Sequence, residues 1–318
     1  MDGPSWKSSE RNAQRLGGNL ISISDAGENT LAQKIAEGES NELHIGLSDA
    51  KNEGIWELSS GEISHYRNWS PNEPNNRWAG DGEDYAVIKP FRGINGQGQQ
   101  FGAGTRNDIS NENTAWNDRH RAGLAEIPFI RRGDSAYVVV EGPTWEEAEA
   151  NAQQLGGHLV TINNEEENQW LTQNIKWQVP SNENFGAYGH DQSIAYWIGL
   201  NDQANEGNLE WSDRSPVNFI KNSSSDSNGT EDWFTLTNKG IWNDLTQTPD
   251  DWSMGHWQMQ FGIAEVKLGS DFKVKTSASL KVNPINDGPE LTGAKVKLDN
   301  GHEDILYTIR ESGLLQGW

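Results

Sequence analysis

The chain has 318 residues, a formal net charge of −22 at pH 7 and no cysteine. This length predicts two or three domains, each long enough to bury a core. The acidic balance excludes nucleic acid as an expected partner, because phosphate binding requires a basic surface, and no apolar run approaches the roughly 18 residues that membrane insertion would require.

The first predicted element is a helix, and it occurs twice. Residues 3–20 and residues 142–159 share a Gly-Pro-Ser/Thr-Trp start, a helical stretch and a Leu-Gly-Gly-x-Leu end. In the second occurrence, Thr144 and Glu147 form the capping-box pattern of a helix start, and Gly156 stands where a helix C-terminus favours a left-handed residue. This similarity predicts an internal repeat.

A second helix and a central strand follow in each repeat. Asn164 and Glu167 predict the start of the second helix by the same capping pattern. An Ile-Gly-Leu-x-Asp motif comes next in both repeats, and Trp197 precedes it in the second, whereas His44 takes that position in the first. Short strands and long polar loops then follow, which is the order of an α+β fold.

Three further motifs of the first repeat return in the same order in the second. They predict two copies of one domain, the first copy over residues 1–128 and the second copy over residues 129–268. The matched motifs are Glu83-Asp84 with Glu231-Asp232, Trp116-Asn117-Asp118 with Trp242-Asn243-Asp244, and Gly123-Leu124-Ala125-Glu126 with Gly262-Ile263-Ala264-Glu265.

The two copies differ in their insertions and in their beginnings. The first copy carries a Gly/Gln/Asn-rich stretch at residues 93–113, and the second copy has an insertion at residues 178–193 before its central strand. We expect both to be surface loops. Residues 134–140 predict an opening strand for the second copy that has no counterpart in the first. We therefore expect the sequence to be a fragment of a longer protein, cut at both ends.

A Glu-Pro-Asn motif at residues 73–75 is the most informative feature of the first copy. Carboxylate and side-chain amide oxygens are the hard ligands that Ca²⁺ prefers, and the ion takes about six to eight of them. Most of one such shell is available in the first copy from Glu73, Asn75, Glu83, Asn117 and Asp118.

Taken in this order, the motifs resemble those of C-type lectin-like domains. The resemblance implies, for each copy, two helices, small antiparallel sheets and long loops. It also implies that the five residues bind Ca²⁺ and a sugar together, with Pro74 in the cis form so that Glu73 and Asn75 both face the ion. Animal domains of this kind are usually stapled by disulfides, so the lack of cysteine indicates a bacterial or phage version.

The Glu-Pro-Asn motif also bears on the sugar. The resemblance implies equatorial vicinal hydroxyls, so we expect glycans of mannose type rather than of galactose type, whose binders usually carry Gln-Pro-Asp. Trp78 either stacks on the apolar face of a sugar or packs into the core. The alternative for the whole motif is an ordinary polar turn.

A second, auxiliary calcium position is implied on the loop after the Ile-Gly-Leu motif. Asn76 stands where an aspartate is common at this position, which lowers the charge of the site. The alternative is a solvated acidic loop. The residues of the position in the first copy are Asp49, Glu53, Asn76 and Asp84.

The second copy departs from the pattern because it has no Glu-Pro-Asn. Residues 223–228, Ser-Ser-Ser-Asp-Ser-Asn, stand in its place, and Asp226 and Asn228 are substitute ligand candidates. The default interpretation of this copy is a scaffold or a protein-contact role. Its candidate metal residues are Glu231, Asn243 and Asp244 at the main position, and Asp202, Glu206 and Asp232 at the auxiliary position.

Residues 269–318 resemble a linker and the start of a cadherin-like repeat, an all-β sandwich related to the immunoglobulin fold and found in large bacterial surface adhesins. The resemblance rests on Asn-Asp-Gly-Pro at residues 286–289 and on later Glu-Asp and Leu-Leu-x-Gly motifs. The residues that would contribute to a calcium site between such repeats are Asn286, Asp287, Glu303 and Asp304.

These features predict a secreted or cell-surface bacterial adhesin fragment whose first copy binds glycans through Ca²⁺. The alternative is a structural or protein-recognition array in which calcium only makes loops rigid and no sugar is bound. We expect no catalysis, because the seven histidines show no zinc-binding spacing and no nucleophile elbow or phosphate loop is present. Some members of this fold bind ice, but this sequence does not show the regular Thr-rich face that such binding would use.

Overall fold

The protein is represented by a computed structural model that describes residues 3, 5–77, 82–111, 122–178, 194–221, 231–246 and 261–269. The chain divides into two compact units, Met1–Asp271 and Phe272–Trp318. All described residues belong to the first unit. The expected cadherin-like segment lies outside the described residues from residue 270 onward, together with its four candidate calcium residues.

In its described residues, the first copy contains two helices and eight short strands. The elements in chain order are α1 Trp6–Arg15, β1 Asn19–Leu20, α2 Ala26–Ile35, β2 Leu43–Ser48, β3 Glu57–Leu58, β4 Tyr85–Ile88, β5 Gly93–Ile94, β6 Gln100–Phe101, β7 Arg106–Ile109 and β8 Ala125–Glu126.

The second copy repeats this order with longer strands. Its elements are β9 Ile130–Arg132, β10 Ser135–Glu141, α3 Trp145–Gln154, β11 His158–Leu159, α4 Glu165–Asn174, β12 Ala195–Asn201, β13 Glu210–Trp211, β14 Trp233–Thr237, β15 Trp242–Leu245 and β16 Phe261–Lys267. The expected opening strand over residues 134–140 is therefore confirmed as β10. In the part of the chain that the structure describes, no helix is both long and apolar enough to cross a membrane.

Both copies build the same small antiparallel sheet. In the first copy the strand order is β3-β2-β4-β7, and in the second the matching strands β13, β12, β14 and β15 pair in the same way. The strand pairs β1–β8 and β11–β16 are equivalent as well. The internal repeat and the α+β fold are thus confirmed in the structure.

The predicted helix caps are present. The Thr144 hydroxyl accepts a hydrogen bond from the Glu147 N–H at 3.2 Å, and the Asn164 side chain accepts one from the Glu167 N–H at 2.8 Å. Gly156 follows α3 with a φ of +84°, where a residue with a side chain would be strained. Local sequence signals therefore determine where these helices begin and end.

One buried tryptophan anchors the first helix of each copy to the central strand. The Trp6 indole N–H donates to the Ile45 carbonyl at 2.7 Å, and the Trp145 indole N–H donates to the Ile198 carbonyl at 2.7 Å. Both tryptophans are buried, so the bond satisfies an indole N–H that would otherwise be costly. The same contact holds both scaffolds together.

His44 occupies the position of Trp197, as the sequence predicts. His44 forms a parallel bridge with Gly123, and Trp197 forms the equivalent parallel bridge with Gly262. Both side chains are buried, and a hydrogen bond of 2.8 Å joins His44 Nδ1 to the Ser9 hydroxyl. The Ser9 hydroxyl thus satisfies the buried imidazole of His44 in the first copy.

The expectation of a surface loop over residues 93–113 is wrong for part of this stretch. The segment forms the hairpin β5–β6 and then β7, which pairs with β4 along its whole length. Asp108 and Ile109 of β7 are buried. The polar composition hid this strand, because its buried positions carry charged residues instead of an apolar run.

Candidate calcium and sugar site

Strand register identifies which residues of the two copies are equivalent. Asp108 lies opposite Ala86 of β4, and Asp244 lies opposite Phe234 of β14, each at the same place in its sheet. An asparagine precedes each aspartate and donates its amide N–H to the aspartate carbonyl, at 3.0 Å in the first copy and 2.8 Å in the second. The first-copy counterparts of Asn243 and Asp244 are therefore Asn107 and Asp108.

This register corrects the match based on sequence identity. Trp116-Asn117-Asp118 reproduces the letters of the second-copy motif, but Arg106 is the residue that pairs across the sheet as Trp242 does. Asn117 and Asp118 lie outside the described residues. One sequence signal favours the corrected match: the aspartate is followed by an apolar residue in Asp108-Ile109 and Asp244-Leu245, whereas Arg119 follows Asp118.

Arg106 fills the buried position that an indole fills in the second copy. Its guanidinium, fully buried, donates to the Tyr66 carbonyl at 3.1 Å and to the Ile23 carbonyl at 3.2 Å. The Trp242 indole N–H instead donates to Asn168 Oδ1 at 2.7 Å. Burial lowers the pKa of Arg106 to about 10. This exchange of Trp for Arg is why the motif is hard to find by its letters.

The Glu-Pro-Asn loop is tied directly to Asp108. The Glu73-Pro74 peptide bond is cis, as predicted. The backbone N–H groups of Asn75 and Asn76 both donate to Asp108 Oδ2 at 2.8 Å, and the Asn75 side-chain amide donates to Glu73 Oε2. Asp108 thus fixes the loop that carries the predicted sugar-binding residues.

Negative charge is concentrated where this loop meets β7. Asp108 Oδ1 is buried and accepts no hydrogen bond from a described residue. Burial, together with the neighbouring carboxyl group of Asp108, raises the pKa of Glu73 to about 7. Two close carboxyl groups with an unsatisfied buried oxygen are the donor set expected of a cation site.

Glu83 lies on the far side of the same loop. Its backbone N–H donates to Asn76 Oδ1 at 2.7 Å, and its carboxylate accepts the Arg77 N–H at 2.9 Å. Trp78 lies outside the described residues. The structure therefore ties Asn75 to Asp108 and Glu83 to Asn76. Among the described residues, the carboxylates of Glu73, Glu83 and Asp108 do not form a group of three within 4.8 Å of one another.

The auxiliary position of the first copy is built around Asp49. Asp49 is buried, its Oδ2 atom accepts the Gly54 N–H at 2.9 Å, and its Oδ1 atom finds no partner among the described residues. Its backbone N–H donates to the Asp84 carbonyl at 3.0 Å. Burial raises the pKa of Asp49, and the charges of Glu53 and Asp84 raise it further.

The auxiliary position of the second copy is more compact. Asp202 Oδ2 accepts the Gly207 N–H at 3.0 Å, as Asp49 Oδ2 accepts the Gly54 N–H. The Oδ1 atom of Asp202 is buried without a described partner, as is that of Asp49. Ligand oxygens of Asp202, Glu206 and Asp232 all lie within 4.8 Å of one another. Burial raises the pKa of Asp232, and the charge of Asp202 adds to it. The three residues predicted from sequence thus meet in space.

The main position of the second copy is described only in part. Asn243 and Asp244 lie on β15, and Glu231 lies just before β14. Residues 222–230, which include Asp226 and Asn228, lie outside the described residues. A loop equivalent to Glu-Pro-Asn is therefore documented only in the first copy.

Comparisons with known proteins match segments of both copies to one family. The family model of the Lectin C-type domain matches residues 3–98 and 141–251. C-type mannose receptor 2 of Homo sapiens is 28% identical over 257 residues, which are 76% of this chain and 16% of the receptor. The chain thus spans about a sixth of that relative's length.

Two shorter matches and one solved structure extend the comparison. C-type lectin domain family 17, member A, of Homo sapiens is 34% identical over 38% of this chain and 28% of that protein. The alpha-N-acetylgalactosamine-specific lectin of Patiria pectinifera is 39% identical over 24% of this chain and 43% of that lectin. The cow carbohydrate-recognition domain of CD23, solved in the presence of a GlcNAc2Man3 oligosaccharide, has 22% identity and a TM-score of 0.33, and covers 44% of this chain and 94% of the domain.

Proposed function

Because this chain belongs to the Lectin C-type domain family, whose members are generally binding proteins rather than enzymes, we propose that its first copy binds carbohydrate through Ca²⁺. One observation carries the proposal. Asp108 holds the backbone of the Glu73–Asn75 loop with one oxygen and keeps its other oxygen buried without a described partner. An ion at that oxygen would remove the cost of burying it unpaired.

The donor set fits calcium in type. Carboxylate and amide oxygens predominate, and C-type lectin domains typically bind this ion. The ion, when bound, would supply a coordination position for two vicinal sugar hydroxyls. The residues that we assign to hold it are Glu73, Asn75, Glu83, Asn107 and Asp108, with Asn117 and Asp118 remaining sequence predictions outside the described residues.

The side chains have separate roles toward the sugar. The Glu73 carboxylate accepts a hydrogen bond from one hydroxyl, and the Asn75 amide donates to the oxygen of the same or the adjacent hydroxyl. Asp108 positions Asn75 and Asn76 through their backbone N–H groups, so it acts on the sugar indirectly as well as on the ion.

Mannose-type glycans are the proposed ligand class. The support is the Glu-Pro-Asn sequence, together with a relative named as a mannose receptor. Another relative is named as specific for alpha-N-acetylgalactosamine, so a galactose-type ligand is the rival to be measured alongside.

The two auxiliary positions are proposed as structural calcium sites. Each has a buried aspartate oxygen without a described partner, at Asp49 and at Asp202. The second candidate function, an array in which calcium stiffens loops and no sugar binds, draws its support from the compact trio in the second copy. Lectin relatives of this kind are mostly extracellular or surface-exposed, and we extend this to a location on a bacterial surface.

Retention of the full chain on immobilised mannose and galactose tests the proposal. We expect retention on mannose in calcium and release by a chelator. Asp108→Asn should abolish retention, whereas Asp244→Asn, the matched change in the second copy, should leave it intact. Asp118→Asn separates the corrected assignment from the one based on motif letters, and it should retain binding.

Each other outcome has a defined meaning. Retention on galactose alone would keep the calcium site and reject the mannose preference. Loss of binding in Asp118→Asn but not in Asp108→Asn would return the site to residues 117 and 118. Absence of retention on both sugars, by folded and calcium-loaded protein, would leave the structural array as the better function.

A further inference from the structure

The first copy has a hairpin beside its calcium loop that the second copy lacks. Between the paired positions Ile88 and Arg106 the chain forms β5–β6, here called the amide hairpin (residues 93–101). At the same place in the second copy the chain turns within residues 237–241, where the Thr237 N–H donates to the Ile241 carbonyl at 2.9 Å. The hairpin is thus an addition to a scaffold that closes without it.

The amide hairpin is internally well organised. Asn95 Oδ1 accepts the backbone N–H groups of Gln97 at 3.1 Å and Gln99 at 2.9 Å. The ring of Phe101 packs over Gly93, where an added Cβ would come within 2.5 Å of it, and the Lys89 ammonium lies 4.3 Å from the ring centroid. These contacts hold the tip in one conformation without a ligand.

The hairpin is joined to the sugar-binding loop itself. The Asn72 side-chain N–H donates to Gln97 Oε1 at 2.7 Å and to Gln99 Oε1, and the Asn95 amide donates to the Pro71 carbonyl at 3.4 Å. Asn72 directly precedes Glu73, the first proposed calcium ligand. The two glutamines are therefore placed next to the site rather than at a distant edge.

This arrangement leaves the exposed amides of Gln97 and Gln99 with unused donor capacity. Because both glutamine oxygens face Asn72, their Nε2 groups donate to no described residue, and both side chains are exposed. Neutral amides with fixed orientation suit hydroxyl groups, which accept and donate in turn. They offer no charge to a phosphate or carboxylate ligand.

We propose that the amide hairpin is a second subsite, which contacts the sugar next to the one held at the calcium loop. Gln97 and Gln99 donate to hydroxyl or ring oxygens of that second residue. The first copy therefore prefers a neutral glycan of at least two sugars to the corresponding monosaccharide. This inference rests on the proposed function of the calcium loop.

Calorimetric titration of the full chain in calcium tests the subsite. The ligands are methyl mannoside and a panel of neutral disaccharides of different linkage that carry mannose at the non-reducing end. The variant is Gln97→Ala with Gln99→Ala, and the control is Gln100→Ala, an exposed glutamine of β6 that makes no contact with Asn72 among the described residues. Circular dichroism confirms that each variant is folded.

The expected result is a selective loss. At least one disaccharide binds the unchanged protein about tenfold more tightly than the monosaccharide, the change expected for one or two added neutral hydrogen bonds. The double variant loses this advantage and keeps its monosaccharide affinity, and Gln100→Ala keeps both.

Three results would overturn the subsite. If no disaccharide exceeds the monosaccharide, or if the double variant keeps the advantage, the hairpin is not a subsite and the calcium-loop function stands. If the double variant loses affinity for both ligands equally, the hairpin only supports the loop. If the unchanged protein binds no sugar at all, the proposed function fails first and the subsite fails with it.

Discussion

The two copies have one scaffold and different surroundings at the proposed ligand sites. Each anchors its first helix with an indole N–H bond of 2.7 Å to the central strand, and each pairs its last two sheet strands in the same register. The first copy carries Glu-Pro-Asn at residues 73–75, a sequence that the second copy lacks, and it adds the amide hairpin where the second copy closes with a short turn. Buried contacts specify this fold, and the loops that it carries are free to diverge.

The cores of the two copies also differ in a way that the shared scaffold tolerates. The second copy places Trp197, Trp211 and Trp242 in full burial. The first copy has His44, Leu58 and Arg106 at the equivalent positions in the sheet. At two of these three positions, His44 and Arg106 replace an aromatic side chain by a polar one whose buried polar atoms need hydrogen-bond partners.

The largest expected effect on stability comes from replacing Arg106, which stands in the first copy where Trp242 stands in the second. Arg106→Leu removes both donors from the carbonyls of Tyr66 and Ile23 and leaves unfilled space, so we expect a loss of about 4 kcal/mol in unfolding free energy. Arg106→Trp should cost less, because Asn29 Oδ1 is buried without a described partner and corresponds to the Asn168 atom that Trp242 contacts.

Urea unfolding of the full chain, followed by tryptophan fluorescence, measures both variants. Leu58 is the first-copy counterpart of Trp211. Because leucine is smaller than tryptophan, we expect room for the indole ring of the Arg106→Trp variant. An Arg106→Trp variant as unstable as Arg106→Leu would show that the two cores are not interchangeable at this point.

A matched pair of glycines gives the next largest effect. Gly17 and Gly156 follow their helices at the same repeat position, and both have a φ of +84°. An added Cβ at Gly17 would lie 2.3 Å from the Val139 carbonyl oxygen, whereas one at Gly156 meets nothing within 4 Å. We expect Gly156→Ala to cost about 1–2 kcal/mol and Gly17→Ala about 2 kcal/mol more.

The same unfolding measurement compares the two glycine variants. The extra cost at Gly17 reports the packing of the second copy, through β10, against the end of α1. Equal costs would show that the backbone conformation alone matters and that this contact yields easily.

Calcium removal should distinguish the two auxiliary positions. Saturation at a hundredfold excess over the dissociation constant stabilises a folded protein by about 2.7 kcal/mol per site. Asp202→Asn should remove more of the calcium-induced rise in Tm than Asp49→Asn, because three carboxylates converge only in the second copy among the described residues.

In chelator, the expected effect of Asp202→Asn on Tm has the opposite sign. Without an ion, Asp202→Asn relieves repulsion with Asp232, so it should raise Tm slightly. Differential scanning calorimetry with calcium and with chelator checks both signs. A calcium response that is equal in the two variants would contradict the ranking of the sites.

Sequence patterns were sufficient for the scaffold and for the cis Glu-Pro-Asn loop that carries part of the proposed main site. The repeat, the caps at Thr144 and Asn164, and the cis bond before Pro74 all follow from local motifs, because each depends on a few adjacent residues. Asn107 and Asp108 were missed, since their identification requires the pairing of β7 with β4. The trio at Asp202 was found because each of its residues lies in a motif that both copies share.

The amide hairpin shows a different limit of sequence reasoning. A Gly/Gln/Asn-rich stretch has no apolar period, so its polar letters indicated a loop. Its order comes from side-chain to backbone bonds centred on Asn95, which composition does not reveal.

The smallest expected effect concerns the ion pair between the copies. Arg11 contacts Glu141 through two hydrogen bonds of 2.6 and 2.5 Å, but the Arg11 side chain is 55% exposed. Such a pair is screened by water, so a double-mutant cycle of Arg11→Gln and Glu141→Gln should give a coupling of about 0.5 kcal/mol that weakens in high salt. A coupling above about 2 kcal/mol would mean that charge rather than the packing at Gly17 joins the copies. This cycle and the comparison of the two glycine variants together decide which contact joins the two repeats in one compact unit.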